Sequence, residues 1–436
     1  MRSDPTLRPA RWWRALVASL ALLLTLSGCI SGTNAGGGSD QPDSTKLGGE
    51  VEWWTINLKA NYGEYVQGLI DRYQAGHPGT KINWVDVPGN DLATKLLAAL
   101  SSGNPPDLVN INSKDLGRFQ NSVADLHKYF TAEELAAYQP SLVKPLERDG
   151  ALTALPWYNG GSPVAIYRKS ALAGTSFDAQ NPPKTIDDFL QLATEVKQKS
   201  GVAGMNLYEW SQVLPYYGVD MLNPQRTAAA FNTPKTIDIL NRWKAAYDSG
   251  AIAPGVVSKD IRNLPENIEN RRIGFVANVP ATQLVNTQKN APEVYGDLVV
   301  TPSARTPNGK LLLAAQQTFA IPNGSDNKAT AADWLKFVTN NENQLAFCKV
   351  VAIFPSTKAT LEDPYFAVKG TDASAVARKI IVDTLPDLAD GALGTPKDQQ
   401  LRDLFDEQIR AFLQGAVDAK TALGNAEQQW NQELAK

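Results

Sequence analysis

Amides and aromatic rings gather where this chain can present them to a ligand. Trp54, Thr55 and Asn57 close the apolar run that begins at Glu50, and Asn110 and Asn112 close the run that begins at Asp107. Trp157, Tyr158 and Asn159 stand together just ahead of Gly160-Gly161 and Pro163. An amide donates and accepts at once, a carboxylate accepts from two vicinal hydroxyls, and a ring face stacks on C–H groups. Such a set suits a neutral molecule rich in hydroxyls. Trp53 and Trp54 are neighbours on one strand and must face opposite sides. Only one of them can see a cleft, and Trp54 is the expected one.

Groups that break bonds are scarce. The chain has two histidines, His77 in a Pro-Gly turn and His127 on an expected helix. It contains no H-E-x-x-H, G-x-S-x-G, P-loop or G-x-G-x-x-G. No metal site and no cofactor is expected, and the chain reads as a binding protein rather than an enzyme. Two carboxylates can be nominated in any chain this long, so a secreted, lipid-anchored glycoside hydrolase is the rival reading. After Cys29 the one remaining cysteine is Cys348, which excludes an intramolecular disulfide framework. Its neighbours Ala346 and Phe347 suggest a buried structural thiol.

The elements that must position these residues can be read from periodicity. Glu50 to Ile56 is a strand, and Tyr62, Tyr65, Val66, Leu69, Ile70 and Tyr73 follow at helical spacing. Lys81 to Val87 is a second strand, Asp91 to Ser102 a second helix, and Asp107 to Asn112 a third strand. This β-α-β-α-β order predicts a largely parallel sheet whose ligand lies beyond the carboxyl ends of the strands. Gly160-Gly161 lets the backbone bend, Pro163 stiffens it, and Val164 to Tyr167 reads as a buried strand. Thr185-Ile-Asp-Asp188 has the form of a capping box ahead of a helix. Thr233-Pro234 opens another helix that Gly250 closes. Arg272 to Ala277 is a strand that delivers Asn278. Helices are also expected from Asn327 onward, over about 398–413, and over about 417–430.

A chain of 436 residues exceeds one compact core, so two domains are expected. Charged residues make up 20% and the formal net charge is -3, with no basic stripe, which excludes a nucleic-acid partner. Arg8, Arg11 and Arg14 precede an apolar stretch, Ala15 to Leu26, too short to span a bilayer. Leu26-Ser27-Gly28-Cys29 then resembles the lipobox of bacterial lipoproteins. That resemblance implies loss of residues 1–28, lipidation of Cys29 and a membrane anchor. Cleavage there removes four arginines and one aspartate and leaves a formal charge of about -6. Residues 29–49 have the composition of a flexible tether.

The ordered motifs beyond the tether resemble the extracellular solute-binding proteins of carbohydrate ABC importers, the class that includes maltose-binding protein. They are Trp53-Trp54-Thr55, His77-Pro78-Gly79, Ser102-Gly-Asn-Pro-Pro-Asp-Leu108, Leu155-Pro156-Trp157 through Tyr167-Arg168-Lys169, Ile321-Pro-Asn-Gly324 and Phe354-Pro355-Ser356. The family often carries Asn where Arg168 stands. The resemblance implies an α/β fold of two lobes, each a mainly parallel sheet flanked by helices, with three crossovers and a ligand trapped between. The crossovers are expected near Trp157, near Ala315-Gln316-Gln317 and near Ala352-Ile353-Phe354. Lobe 1 is then 50–156 plus 316–351, and lobe 2 is 157–315 plus 352–436. By alignment, Glu209 supplies a carboxylate and Trp210 a ring to sugar; Asn278, which follows a second-lobe strand, and Gln316 and Gln317, at the second crossover, are expected to line the cleft. Ala281 stands where the family often has an aromatic. The implied partners are a sugar or oligosaccharide and ABC permease subunits, for a monomer held at the extracytoplasmic face of the membrane. A polyol or glycerol phosphate is the alternative solute. A phosphate calls for Arg or Lys in the cleft, and Lys59 and Arg118 are the nearest.

Overall fold

The structure is a computed structural model that describes residues 47–89, 91–207, 209–258, 264–313, 316–351, 353–367 and 370–436. The expected signal segment, the lipobox with Cys29 and nearly all of the tether lie outside the described residues, as do Tyr208, Ala315 and Ala352. No described helix is long and apolar enough to cross a membrane.

Ten strands carry the architecture. They are β1 Gly49–Ile56, β2 Thr80–Val87, β3 Leu108–Asn112, β4 Leu155–Asn159, β5 Val164–Arg168, β6 Ala203–Asn206, β7 Ile273–Val279, β8 Leu298–Pro302, β9 Gln316–Ala320 and β10 Phe354–Pro355. The helices that matter here are α1 Lys59–Gly76, α2 Leu92–Ser102, α3 Ile186–Ser200, α4 Pro234–Asp248, α5 Lys328–Thr339, α6 Asn341–Val350, α7 Asp398–Leu413 and α8 Ala419–Leu434.

The first lobe is built on a six-stranded sheet in the order β10-β4-β9-β3-β1-β2. Strand β1 pairs in parallel with both β2 and β3, as the helical crossovers α1 and α2 require. Helix α1 turns Val66, Leu69, Ile70 and Tyr73 inward. Helix α2 stops at Gly103, whose φ of 76° places it in the left-handed region that suits a C-cap. The second lobe is a four-stranded sheet, β8-β5-β7-β6, with α3 preceded by the Thr185–Asp188 capping box and closed by Gly201. The mainly parallel expectation needs correction for pairing. β9 runs antiparallel to β3 and β4, β10 to β4, and β5 to both of its neighbours. Strands that return from the other lobe enter against the grain, so both sheets are mixed.

The three expected crossovers lie side by side. Asn159 on β4 faces Gln316 on β9 and Phe354 on β10 in one register row. The first sheet keeps β4 through Asn159 and takes β10 as its edge, so the chain leaves that sheet after Asn159 and after Pro355. Pro156 lacks an N–H, and the β4–β9 register slips beside it, leaving Trp157 opposite no residue. Gly161 then turns with φ of 83°, and a Cβ there would stand 2.5 Å from Ile381 and 2.8 Å from the Phe354 ring.

One core cluster fills the first lobe, and the second-lobe sheet packs a cluster on each face. Trp53 packs against Trp334 of α5 at 5.2 Å, and Trp157 stacks on Phe347 of α6 at 5.1 Å and 7°. In the second lobe α7 and α8 close over the sheet's core, with Phe231, Phe405 and Trp430 edge to face.

Candidate functional site

Strands β6 and β7 run parallel, with Asn206 opposite Val276, so their carboxyl ends open on the same side. A cavity of about 330 Å³ lies there. Its polar wall is Asn206, Glu209, Gln212, Tyr216, Asn278 and Gln283, and its apolar floor includes Ile186, Met205, Val213, Val279 and Ala304. No Lys, Arg or His is among the described residues that line it.

Inside this wall some groups are spent and others are not. Asn206 is buried, donates to Leu264 O at 2.6 Å and accepts from Asn267 at 3.1 Å, so both ends of its amide serve the fold. Asn278 donates to the Tyr216 hydroxyl at 2.5 Å. Burial pushes the Tyr216 phenol above its ordinary range, so it stays protonated and can donate onward. Gln212 donates to one oxygen of the half-buried Glu209 carboxylate. The arrangement therefore offers a carboxylate, an amide and a phenol around an apolar floor.

Behind Glu209 the backbone is held from another element. The Trp210 and Ser211 N–H groups donate to the two oxygens of Asp406 on α7, at 3.1 Å and 2.7 Å. Burial, and then the charge of Glu209, push the Asp406 carboxyl up to about 7, against the pull of these two N–H donors and Arg410. The expected ring Trp210 does not face the cavity. It is 3% exposed, packs edge-on against Trp243 at 5.6 Å and donates to Val256 O at 3.2 Å.

At the first-lobe edge the outcome is divided. Asn57 is exposed at the carboxyl end of β1, with φ of 53°, and its amide nitrogen closely approaches Gly89 on the loop after β2. Asn112 is half-buried and accepts from Lys114 N at 3.1 Å, which caps the turn after β3. Trp54 lies on the opposite face from Trp53, half-buried, with its N–H on Glu52 at 2.6 Å. Tyr158 and Gln317 are half-buried in the crossover row.

The remaining expected residues are drawn inward. Thr55 is fully buried, donates to Asp86 at 2.7 Å and accepts from Trp84 at 2.7 Å. Asn110 donates to Gln317 and Thr318 O, Asn159 accepts from Gly161 N, and Gln316 donates to Leu142 O. Trp157 belongs to the aromatic core. Thr55 is held by two side chains, Asn110, Asn159 and Gln316 each bond a backbone group, and Trp157 packs.

Sequence reading missed Gln212, Tyr216, Trp84 and Asp406. Trp84 sits half-buried on β2 with Lys59 over its ring at 5.4 Å. Asp406 left a signal: Asp398, Arg402 and Asp406 recur at four-residue spacing on the face of α7 that also buries Leu401, Phe405 and Ile409.

A second cavity, of about 360 Å³, lies where the lobes meet. Lys114, Asp115 and Arg118 after β3 face Lys397, Asp398, Asp403 and Glu407 of α7 and the loop before it. Here Gly117 packs directly on the Thr395 backbone.

Residues 59–345 match the family described as bacterial extracellular solute-binding protein. The sn-glycerol-3-phosphate-binding periplasmic protein UgpB of Rhizobium meliloti is 22% identical over 429 residues, covering 88% of this chain and 94% of the relative. The sugar-binding protein MalE of Xanthomonas citri has the same fold at a TM-score of 0.75 and 19% identity, covering 89% of this chain and 98% of that one. The cyclic alpha-maltosyl-1,6-maltose binding protein of Arthrobacter globiformis follows at 0.71 and 20%, covering 89% and 99%.

Proposed function

The chain belongs to the bacterial extracellular solute-binding protein family, and from that premise we propose that it captures a neutral sugar or oligosaccharide between its lobes and delivers it to an ABC permease. The observation that carries this reading is the second-lobe cavity. Its described lining combines the Glu209 carboxylate, Asn278 and Tyr216 with an apolar floor and contains no cation. Vicinal hydroxyls donate in pairs to a carboxylate, and C–H faces rest on apolar groups. A phosphate needs Arg or Lys, so the chemistry of this wall speaks for a sugar over glycerol phosphate. Lipidation at Cys29 would hold the monomer at the extracytoplasmic face, and the lobes would close by bending at the row of Gln316, Asn159 and Phe354.

Calorimetry over maltose, lactose, longer oligosaccharides and sn-glycerol 3-phosphate tests the reading. Saturable binding of a sugar at micromolar strength or better, about -8 kcal/mol, is expected. Binding of glycerol phosphate alone overturns the sugar assignment, and steady release of reducing ends favours the hydrolase. Fractionation of cells carrying Cys29→Ser tests the anchor separately.

A further inference from the structure

Helix α7 buries Leu401, Phe405, Ile409, Phe412 and Leu413 against the second-lobe core, and among them stands the carboxylate of Asp406, 8% exposed. A carboxylate on an apolar face opposes folding unless hydrogen bonds offset its lost water. The bonds it makes are to backbone. One oxygen takes the Ser211 N–H at 2.7 Å and the other takes the Trp210 N–H at 3.1 Å. Those two N–H groups open the short turn Trp210–Gln212, whose preceding residue, Glu209, supplies no side-chain cap. Asp406 thus caps from another element the turn that Glu209 begins. The Trp210 indole pins the same turn to Val256 O, and Gln212 from within the turn grips the Glu209 carboxylate.

We propose that Asp406 is a positioning residue for ligand capture: by holding both N–H groups of the Trp210–Ser211 turn it fixes the direction in which Glu209 enters the second-lobe cavity. The inference rests on that cavity being the ligand site.

The device is sensitive to protonation because both oxygens are used as acceptors. A proton on either one takes an acceptor from one of the two amides. Burial raises the Asp406 carboxyl to about 7, so this exchange falls close to neutral pH. The charged groups acting on it are Glu209 from the turn and Arg410 from its own helix. The helices packed beside α7 turn apolar residues inward: Ala422, Leu423, Ala426 and Trp430 from α8, and Ile239, Leu240, Trp243 and Ala246 from α4. Glu209 is therefore held in place at alkaline pH and released as the pH falls through neutrality.

The test uses the mature chain with maltose, or with the tightest sugar of the calorimetric panel. Wild-type Kd should rise several-fold between pH 8 and pH 6. Asp406→Asn keeps the shape but offers one acceptor. It should weaken binding about tenfold at pH 8 and flatten the pH profile, while its circular dichroism stays that of the wild type. Without any ligand, the Trp210 and Ser211 amide resonances of the wild type should titrate together with a midpoint near 7. Amides that do not titrate, or Asp406→Asn with wild-type Kd at both pH values, overturns the proposal even if Asp406→Asn folds poorly in other conditions. Glu209→Gln is measured in parallel. If Glu209→Gln binds as the wild type does, the cavity reading itself has failed; if it loses binding while Asp406→Asn does not, only the positioning role has.

Discussion

Asn159 and Gln316 face each other across β4 and β9, both buried, and each keeps one polar atom without a partner, the Asn159 Nδ2 and the Gln316 Oε1. Phe354 flanks the pair on β10. Three chain crossings thus share one row.

The first prediction concerns that row. Gln316 donates to the carbonyl of the buried Leu142 at 2.8 Å. Gln316→Met keeps the volume and removes the donor. The orphaned carbonyl should cost about 1–3 kcal/mol. Urea denaturation midpoints of the two proteins measure it, and an unchanged midpoint would show that the amide carries no structural load.

Trp157 gives the second. Its ring stacks on Phe347 and lies 4.5 Å from Phe319, at 2% exposure. Trp157→Ala should therefore destabilise by about 3–5 kcal/mol, the usual cost of emptying a Trp site in a core. The fraction that remains folded should bind its sugar as the wild type does. Affinity and melting temperature taken on one sample separate packing from ligand contact, and lost affinity at unchanged stability contradicts the packing role.

Much of this architecture was legible in the sequence, because local signals agree with it. The Thr185–Asp188 box caps α3, Gly201 ends it, and the first three strands and two helices fall where periodicity places them. The site was less legible for a physical reason. Alternation says that Trp157 and Tyr158 face opposite sides, but not which side lies under helices. Residue type at a strand end does not reveal whether a neighbouring group will claim it, as the Asp86 carboxylate claims Thr55. Trp210 and Asp406 are 196 positions apart in the chain, and only the packing of α7 brings them together. The family motifs located the Glu209 turn but not what holds it.

A third prediction follows from the contact between lobes. Gly117 has an ordinary helical φ of -54°, so alanine is not strained by its own backbone there. Its Cβ would nevertheless stand 2.6 Å from the carbonyl oxygen of Thr395 in the other lobe. Gly117→Ala should push this contact apart and favour the open arrangement. A ligand shifts an equilibrium only by its differential affinity for the two states, so the variant should bind more weakly with little change in melting temperature. Small-angle scattering at saturating sugar should give a larger radius of gyration than for the wild type; identical curves would remove the contact from the closure argument.

The last prediction joins Asp406 to stability. In the folded chain its carboxyl is raised to about 7, whereas an ordinary aspartate titrates near 3.8. Between these values the folded state holds a proton that the unfolded state has released. Stability rises with pH only where the unfolded state binds more protons, so here it must fall as pH rises. The contribution is fully present below about pH 4 and is lost as pH climbs through 7. At ~1.4 kcal/mol per pH unit the span amounts to at most about 4 kcal/mol. Carboxylates held low by N–H donors, such as Asp188 at its capping box, act in the opposite sense but in more acidic solution. From pH 5 to pH 7.5 the wild type should therefore lose melting temperature as Asp406 ionises. Asp406→Asn cannot ionise, and its melting temperature should stay flatter over the same range. The same ionisation that directs Glu209 into the cavity then works against the fold, so wild-type affinity and stability should move in opposite directions with pH. Parallel pH profiles of affinity and melting temperature in the wild type would break that link.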